Sequence, residues 1–156
     1  GSVMVGSPTA RAAVVRWFVT EYDDHIAYDF KGQAYSAELR DWEITKLPTN
    51  YRETKRIKLE TMVYVLYEAN DANETIELNY QLVSAGSGFN LDNEWHTVSD
   101  VKINGIAGKL FTSTEPEGTN MVFWVDESTE HAFVVTSSFP CEVLLELAKN
   151  VAPVGK

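Results

Sequence analysis

One stretch of the chain decides the fold: residues 100–151, which read DVKINGIAGKLFTSTEPEGTNMVFWVDESTEHAFVVTSSFPCEVLLELAKNV. It contains two hairpin patterns followed by a helical pattern. In the first hairpin, Asn104-Gly105 separates two segments of alternating polarity, and both residues tolerate the positive φ that a type I′ turn requires. Counting outward from this turn places Ile103 opposite Ile106. The turn therefore fixes the register, with apolar residues on one face and charged residues on the other.

The second hairpin is apolar on both faces. Its first strand runs from Met121 to Asp126, and Asp126 faces His131 across a four-residue turn. Because neither face is polar, we predict that this hairpin forms the centre of the sheet, with cover on both sides. A helix over residues 140–151 follows, starting at a proline, with Ser138 as its candidate N-cap.

The sequence upstream adds one helical pattern and several strand patterns. Residues 8–22 carry apolar side chains at helical spacing behind a proline, which predicts an N-terminal helix packed on the sheet. From His25 the period changes to two, as in a strand. The predicted fold class is therefore α+β, with a mostly antiparallel sheet of seven to nine strands over residues 25–137. The two helices pack on this sheet, and residues 1–156 form a single domain.

Two surfaces of this sheet have open interpretations. Residues 52–58 form a basic cluster, which is typical of an edge strand protected by lysines and also fits a phosphate or acidic-partner site. The strand from Met62 to Glu68 has a half-apolar reverse face that includes Tyr64 and Leu66. We expect the N-terminal helix to cover this face; the alternative is that the face is offered to another molecule.

The composition excludes several classes of protein. The chain has 156 residues, enough for one domain that is stable without a metal or a disulfide. Its 23 acidic and 13 basic residues give a net charge of −10, which argues against binding to nucleic acid or to an anionic membrane surface. The single cysteine excludes an intrachain disulfide and a thiolate metal cluster. No apolar run is long enough to cross a membrane.

No set of residues forms a catalytic signature. The histidines His25, His96 and His131 fall on separate predicted elements without metal-ligand spacing, so we expect no metal site. Asp126 and His131 face each other across a turn, where a weak ion pair is a simpler interpretation than a catalytic dyad. Cys141, beside a helix start, is either a structural residue or an activated thiol. We therefore expect no enzyme and no cofactor, and a hydrolase that uses these groups is the third hypothesis.

The candidate ligand-binding residues lie around a glycine-rich loop. Residues 84–88 read SAGSG and lead to Phe89, Trp95 and His96, so that backbone freedom and large aromatic side chains occur together. We predict ligand contact by these three residues and by Tyr64 on the reverse face of the sheet. The alternative is a loop folded back on the protein with Trp95 as its anchor.

Four short motifs carry a resemblance to a known family. They are residues 42–51 (WEITKLPTNY), 101–108 (VKINGIAG), 121–125 (MVFWV) and 144–150 (LLELAKN). In this order they resemble the bacterial domain of unknown function 4367, and the likeness covers about residues 42–151. Because the motifs consist of turn and packing residues, the resemblance bears on the fold more than on the function.

The resemblance implies the outward-facing domain of a single-span membrane protein, in a family that often looks like anti-sigma regulators. Residues 7–19 (SPTARAAVVRWFV) look like the segment that follows a membrane span in Gram-positive members. The chain also starts without an initiating Met, so we expect it to be a piece of a longer protein. The resemblance brings no catalytic residues with it.

The leading hypothesis is a non-enzymatic extracytoplasmic sensor or interaction domain of a membrane-anchored, anti-sigma-like regulator, located at the cell membrane and facing outside. Its expected partner is an unknown protein or envelope ligand, not nucleic acid, and it is expected to meet the membrane only through an upstream span. The alternative is a carrier or binding domain for a small ligand or cell-envelope component, held in a pocket between sheet and helix.

Overall fold

A computed structural model of the chain describes residues 15–21, 25–32, 38–83, 88–92 and 95–155. These residues contain twelve strands and one helix. The strands are β1 (Val15–Glu21), β2 (His25–Gly32), β3 (Trp42–Ile44), β4 (Arg52–Lys58), β5 (Met62–Glu68), β6 (Ile76–Leu82), β7 (Gly88–Asp92), β8 (His96–Ile103), β9 (Ile106–Ser113), β10 (Asn120–Asp126), β11 (His131–Ser137) and β12 (Val151–Pro153), and the helix is α1 (Cys141–Lys149).

The strands form one large antiparallel sheet and two small ones. The large sheet has seven strands in the order β4-β5-β6-β11-β10-β9-β8, and the small sheets have the orders β1-β2-β7 and β12-β3. The predicted pairing around Asn104-Gly105 is confirmed, with Ile103 opposite Ile106. Asn104 and Gly105 have φ values of 51° and 89°, as a type I′ turn requires. This turn therefore sets the register of the β8–β9 edge of the sheet.

The hairpin of β10 and β11 lies at the centre of the seven-stranded sheet, as predicted. Asp126 faces His131, and the register continues along both strands to Asn120 and Ser137. Four successive residues of β10, Val122 to Val125, are at most 7% exposed. Because successive side chains of a strand point to opposite faces, this burial shows that both faces are covered here.

The core has two parts, one on each face of the seven-stranded sheet. The larger part packs the sheet against α1 and β3, and it includes Tyr67, Tyr80, Phe133 and Leu144. The smaller part lies on the opposite face and consists of Val83, Phe111, Phe123, Val125 and Ala132. Both parts include residues of β10 and β11, so these central strands contribute side chains to the core on each face of the sheet.

The basic segment is an edge strand, as one of its two interpretations predicted. β4 is the first strand of the seven-stranded sheet, and most of its residues are exposed. Two of its cations bind carboxylates of the same chain. Arg56 pairs with Glu53 at 2.9 Å, and Lys58 pairs with Asp41 at 2.7 Å.

The predicted N-terminal helix over residues 8–22 is wrong where the structure describes it. Residues 15–21 form strand β1, which pairs antiparallel with β2 and places Trp17 opposite Phe30. Five of its seven residues are β-branched or aromatic, and such residues fit a pleated strand better than a helix. Residues 8–14 and 22 lie outside the described residues. The described residues therefore contain no N-terminal helix to cover the Tyr64 face of β5, and cover by residues 8–14 lies outside them.

The C-terminal helix is confirmed, but it is shorter than predicted. It spans Cys141–Lys149, and Pro140 rather than Ser138 is at its N-cap, without a side-chain cap hydrogen bond. Val151, predicted as the last helical residue, begins β12 and pairs with Ile44. Strand formation wins here because the β-branched Val151 and the following proline disfavour continuation of the helix.

We predict that Gly105→Ala destabilises the protein by about 1 kcal/mol, because an L-residue with a side chain is strained in the left-handed region. A Cβ at Gly105 has no atom within 4 Å, so the cost is conformational and not steric. Urea unfolding measures the loss. Gly105→Asn is the matched control and should lose less, since Asn tolerates positive φ. Equal stability of Gly105→Ala and the parent would contradict the role of this turn.

Candidate functional site

A cavity of about 150 Å³ lies between one end of the seven-stranded sheet and the elements that cap it. The lining residues come from strands of the sheet, the β8–β9 turn, α1, β3 and β12. They are Trp42, Ile103, Asn104, Ile106, Trp124, Asp126, Phe133, Ala148 and Val151. This cavity is the candidate site because residues far apart in the sequence line it together.

The small sheet of β3 and β12, which we call the cap, is fastened to the seven-stranded sheet by two tyrosine hydroxyls. The backbone N–H of Trp42 donates to Tyr80 Oη at 3.1 Å, and the backbone N–H of Ile44 donates to Tyr67 Oη at 2.9 Å. Both tyrosines are at most 1% exposed. Burial raises the pKa of Tyr67 to about 12, so its hydroxyl stays protonated at physiological pH.

The cap is also held by a charged network around Arg56. Its guanidinium donates to Tyr80 Oη at 3.0 Å and to the backbone oxygen of Trp42 at 3.0 Å. Glu53 accepts from Nε and Nη2 of the same guanidinium, both at 2.9 Å, in the bidentate geometry that arginine favours. The Tyr80 hydroxyl in turn donates to Asp41 Oδ1 at 3.2 Å. Tyr80 is therefore hydrogen-bonded to the cap, to the residue that precedes it and to β4.

Three aromatic rings form one side of the cavity. Trp124 and Phe133 stack with centroids 5.0 Å apart and planes at 16°, and Trp42 meets Phe133 edge-on at 4.9 Å. The guanidinium carbon of Arg40 lies 5.4 Å from the Trp42 ring centroid, within cation–π distance. Trp42 is 6% exposed, and its Nε1–H has no acceptor among the described protein atoms. The Trp42 side chain thus lines the cavity, while its Nε1–H is buried inside the protein.

His131, beside the Trp42 ring, is fully buried and uses both ring nitrogens. Its Nδ1 lies 2.7 Å from the backbone oxygen of Thr129, and its Nε2 accepts the backbone N–H of Arg40 at 3.2 Å. A carbonyl on one nitrogen and an N–H on the other require the neutral tautomer with its proton on Nδ1. Burial lowers the pKa of His131, which agrees with a neutral ring.

The other groups considered for chemistry are also engaged within the chain. Asp126 Oδ1 accepts from the backbone N–H of Ser128 at 2.9 Å and from its hydroxyl at 2.6 Å. Cys141 Sγ lies 3.3 Å from Thr112 Oγ1 at the start of α1. Asp126 and His131 are partners in register, but the hydrogen bonds described for each of them go to other groups. The hydrolase hypothesis gains no geometric support from these contacts.

A second, open groove of about 450 Å³ runs along α1 on its other side. Its apolar lining comes from the loop after β3 and from one face of the helix. The lining residues are Lys46, Leu47, Pro48, Glu142, Val143, Glu146, Leu147 and Asn150. The helix therefore contributes to both a smaller, partly open cavity and a wider surface groove.

The sequence-predicted ligand residues lie elsewhere. Trp95 is 64% exposed, and its backbone oxygen accepts from the backbone N–H and the hydroxyl of Thr114 at 2.8 and 3.0 Å. His96 begins β8, with Nε2 3.0 Å from the backbone oxygen of Thr119. Phe89 lies on β7 in a separate sheet.

Tyr64 lies on β5, five strand spacings from β8, which is about 24 Å at 4.8 Å per spacing. The structure thus brings Trp95 and His96 together, but it does not bring Tyr64 to them. Ligand contact by these residues stays a prediction.

The residues that line the cavity were missed as a site in the sequence analysis. Trp42 and Trp124 stood there only as parts of packing motifs. The one available signal was that two of the four tryptophans fall in these motifs, and tryptophan is unusual among core residues because its N–H needs a partner when buried.

We predict that Tyr80→Phe lowers the free energy of unfolding by about 1–3 kcal/mol, because it leaves the Trp42 N–H and the Arg56 guanidinium without their shared acceptor. Chemical denaturation measures the loss. The control is Tyr64→Phe, which removes the same group from the opposite face and should change stability by less than about 0.5 kcal/mol. Equal losses in the two variants would contradict the fastening role of Tyr80.

We predict a stability loss on mild acidification that depends on His131. The folded-state pKa of His131 lies below its unfolded value of 6.5, so below pH 6.5 only the unfolded chain gains this proton. Stability is therefore complete above pH 6.5 and falls as the pH drops toward the folded-state pKa, by at most about 1.4 kcal/mol per pH unit. Unfolding measured at several pH values tests this.

The matched variants for this experiment are His131→Gln and His96→Gln. The first should remove the slope below pH 6.5, and the second should retain it. The pKa values of Glu127 and Glu130 are raised by burial. Their contribution has the opposite sign and lies above their unfolded pKa of 4.5. A slope that survives in His131→Gln would contradict the assignment.

The described residues contain no group of three or more His, Cys, Asp or Glu side chains arranged to hold a metal ion. Within the same residues, no helix has both the length and the apolar character needed to cross a membrane.

Comparison with curated proteins and with solved structures gave no significant match. The family model described as Domain of unknown function (DUF4367) matches residues 41–151, which is well over half of the chain and includes every residue that lines the cavity. The chain therefore belongs to the DUF4367 family.

Proposed function

We propose that this protein is a non-enzymatic sensor or interaction domain of a membrane-anchored, anti-sigma-like regulator, and that it faces the outside of the cell. The observation that carries the proposal is the cavity of about 150 Å³, whose lining combines aromatic and aliphatic side chains with the polar residues Asn104 and Asp126. Ligand-binding sites are typically concave and mostly apolar, with a few polar groups. The nearest imidazole, His131, has both nitrogens hydrogen-bonded to backbone, which favours binding over acid–base chemistry.

The connectivity of the cap supports a sensing role. β3 and β12 come from opposite ends of the family segment, and the backbone N–H of Val154 also donates to the oxygen of Asp41 at 2.9 Å. A ligand beneath the cap therefore contacts the two ends of the segment at once. A ligand that binds one position of the cap better than another shifts the population of that position. The segment before Asp41 carries this change toward the N-terminal side of the chain, where we expect the membrane anchor.

The second candidate function is a carrier for a small ligand or cell-envelope component. It is favoured by the open groove of about 450 Å³ beside α1, which is three times the volume of the cavity. Leu47, Pro48 and Val143 give this groove an apolar wall suited to an alkyl chain. A carrier keeps its cargo through purification, so mass spectrometry of solvent extracts of the purified protein separates this function from sensing.

We predict that external protease removes a tag placed after Lys156 of the full-length parent protein in intact cells. The reason is that the proposed anchor lies upstream and leaves the domain outside. Immunoblotting of the tag measures its loss, and an intracellular protein that must survive the treatment is the control. A tag that stays protected until the cells are lysed would contradict the outward-facing arrangement and favour an intracellular binding domain.

A further inference from the structure

We propose that the open edge of β8 pairs with the same edge of a second copy of this chain, in an antiparallel register that sets Asp100 opposite Lys102 of the second copy. The two seven-stranded sheets then form one continuous sheet across a two-fold axis. Because both copies use the same edge, the contact closes at a dimer. The proposal concerns β8 alone, so it goes beyond the proposed function and depends neither on the cavity nor on where the domain is located.

The pairing of β8 with β9 decides which backbone groups face the edge of the sheet. A two-residue type I′ turn makes Ile103 and Ile106 a hydrogen-bonded pair, and every second residue of β8 repeats this pattern. Trp95 follows the same alternation, because its oxygen accepts from the backbone N–H of Thr114. The odd-numbered residues of β8 are therefore bonded to β9, and the even-numbered residues direct their N–H and C=O groups away from it.

This outward row of β8 is open. β8 is the last strand of the seven-stranded sheet, and no backbone hydrogen bond from the described residues reaches the outward groups of Val98, Asp100 and Lys102. Asp100 and Lys102 are exposed, and the side chain of Asp100 is 84% exposed although it pairs with Lys109. A row of unpaired N–H and C=O groups is a template for one more strand.

The two edges of the sheet differ in their protection. β4, at the other edge, has four cations among its seven residues, and its register shifts at a bulge between Glu53 and Lys55. Lysines and bulges are the usual devices that keep an edge strand from pairing. β8 has neither a proline nor a bulge, and its eight residues pair with β9 in one unbroken register. β8 is therefore the edge that accepts a further strand along its length.

The charges of β8 select the strand that pairs with it. In an antiparallel pair, opposite charges that face each other stabilise the pairing and like charges destabilise it. A strand that sets a cation against Asp100 and a carboxylate against Lys102 reads acidic-x-basic in its own direction. β8 itself reads Asp100-Val101-Lys102. A second copy therefore supplies two opposite-charge pairs, whereas a register with Asp100 against Asp100 sets like charges together.

The hydrogen-bond pattern and the apolar face of β8 fit the same register. Asp100 and Lys102 both belong to the outward row, so each of the two pairs exchanges two backbone hydrogen bonds. Val101 then faces Val101 of the second copy on the other side of the sheet, in a pair without hydrogen bonds, where side chains approach most closely. Val101 is half-buried and packs against the larger part of the core, so this contact extends the core across the two-fold axis.

Sedimentation velocity on the whole 156-residue chain measures the association. The salt concentration is about 0.15 M, because the Debye length of about 8 Å then screens the repulsion between two chains of net charge −10. We expect a dissociation constant on the order of 100 µM, since a contact between two strand edges is at the small end of protein interfaces. A chain that stays monomeric at about 1 mM overturns the proposal and leaves the edge to an extended segment of another protein.

Charge reversal tests the two facing residues. Asp100→Lys and Lys102→Asp each turn both pairs into like charges, so each variant alone should associate at least tenfold more weakly than the parent. A mixture of the two variants restores both opposite-charge pairs and should form a heterodimer about as tightly as the parent forms its dimer. Glu142→Lys, on the exposed side of α1, is the control for the change in net charge and should not weaken the dimer.

Urea unfolding confirms that each of these variants is folded. A dimer that neither reversal weakens, or a mixture that stays monomeric, overturns the proposal.

Single cysteines test the register, in a Cys141→Ser background that removes the native thiol. Val101→Cys brings two Cα atoms to about 4.5 Å, within the range of a disulfide. Ser99→Cys is the matched control, because its two copies lie about 14 Å apart, four residues along the strand, which is too far for a disulfide. We expect an oxidised dimer of Val101→Cys alone. Cross-linking of Ser99→Cys in its place overturns the proposed register.

Discussion

The hydroxyl of Tyr80 is the point on which the capped end of the sheet depends. It accepts hydrogen bonds from the backbone N–H of Trp42 and from the guanidinium of Arg56, and it donates one to Asp41. A hydroxyl has one proton and two lone pairs, so these three bonds use its full capacity. The cap, the edge strand and the loop before the cap are thereby fixed to one atom of a central strand. The same atom thereby holds Trp42, whose ring packs edge-on against Phe133 and lines the cavity.

The capped end combines a neutral interior with a charged rim. Tyr67, Tyr80 and His131 are buried and stay uncharged, since burial raises the pKa of the phenols and lowers that of the imidazole. The ions, Arg56 with Glu53 and Lys58 with Asp41, lie farther out, where water still reaches them. The exposed pair of Lys58 with Asp41 contributes little to stability, whereas the mostly buried Arg56 guanidinium also donates to Tyr80 and to the backbone oxygen of Trp42.

The sequence predicts those parts of the fold that depend on near neighbours. The Asn104-Gly105 turn fixes its hairpin because backbone conformation at two residues decides it. Residues 15–21 were predicted wrongly because their apolar spacing fits a helix, whereas their β-branched and aromatic residues fit a strand, and the pairing partner β2 decides between the two. The cavity could not be predicted from the sequence for another reason. Trp42 meets Tyr80 across 38 positions, and Arg40 meets His131 across 91. No local pattern encodes contacts of that separation.

The position of the cavity follows from the course of the chain. The turns after β8 and β10 lie at the same end of the sheet, since Gly108 pairs with Trp124 and each strand reverses just beyond this pair. Helix α1 ends at this same end of the sheet, so Val151 follows there and begins β12, which pairs with β3. Elements that meet at their ends pack less completely than elements that meet along their lengths, because turns present backbone where strands present side chains. The cavity lies at this junction, beneath the pairing of the two ends of the family segment.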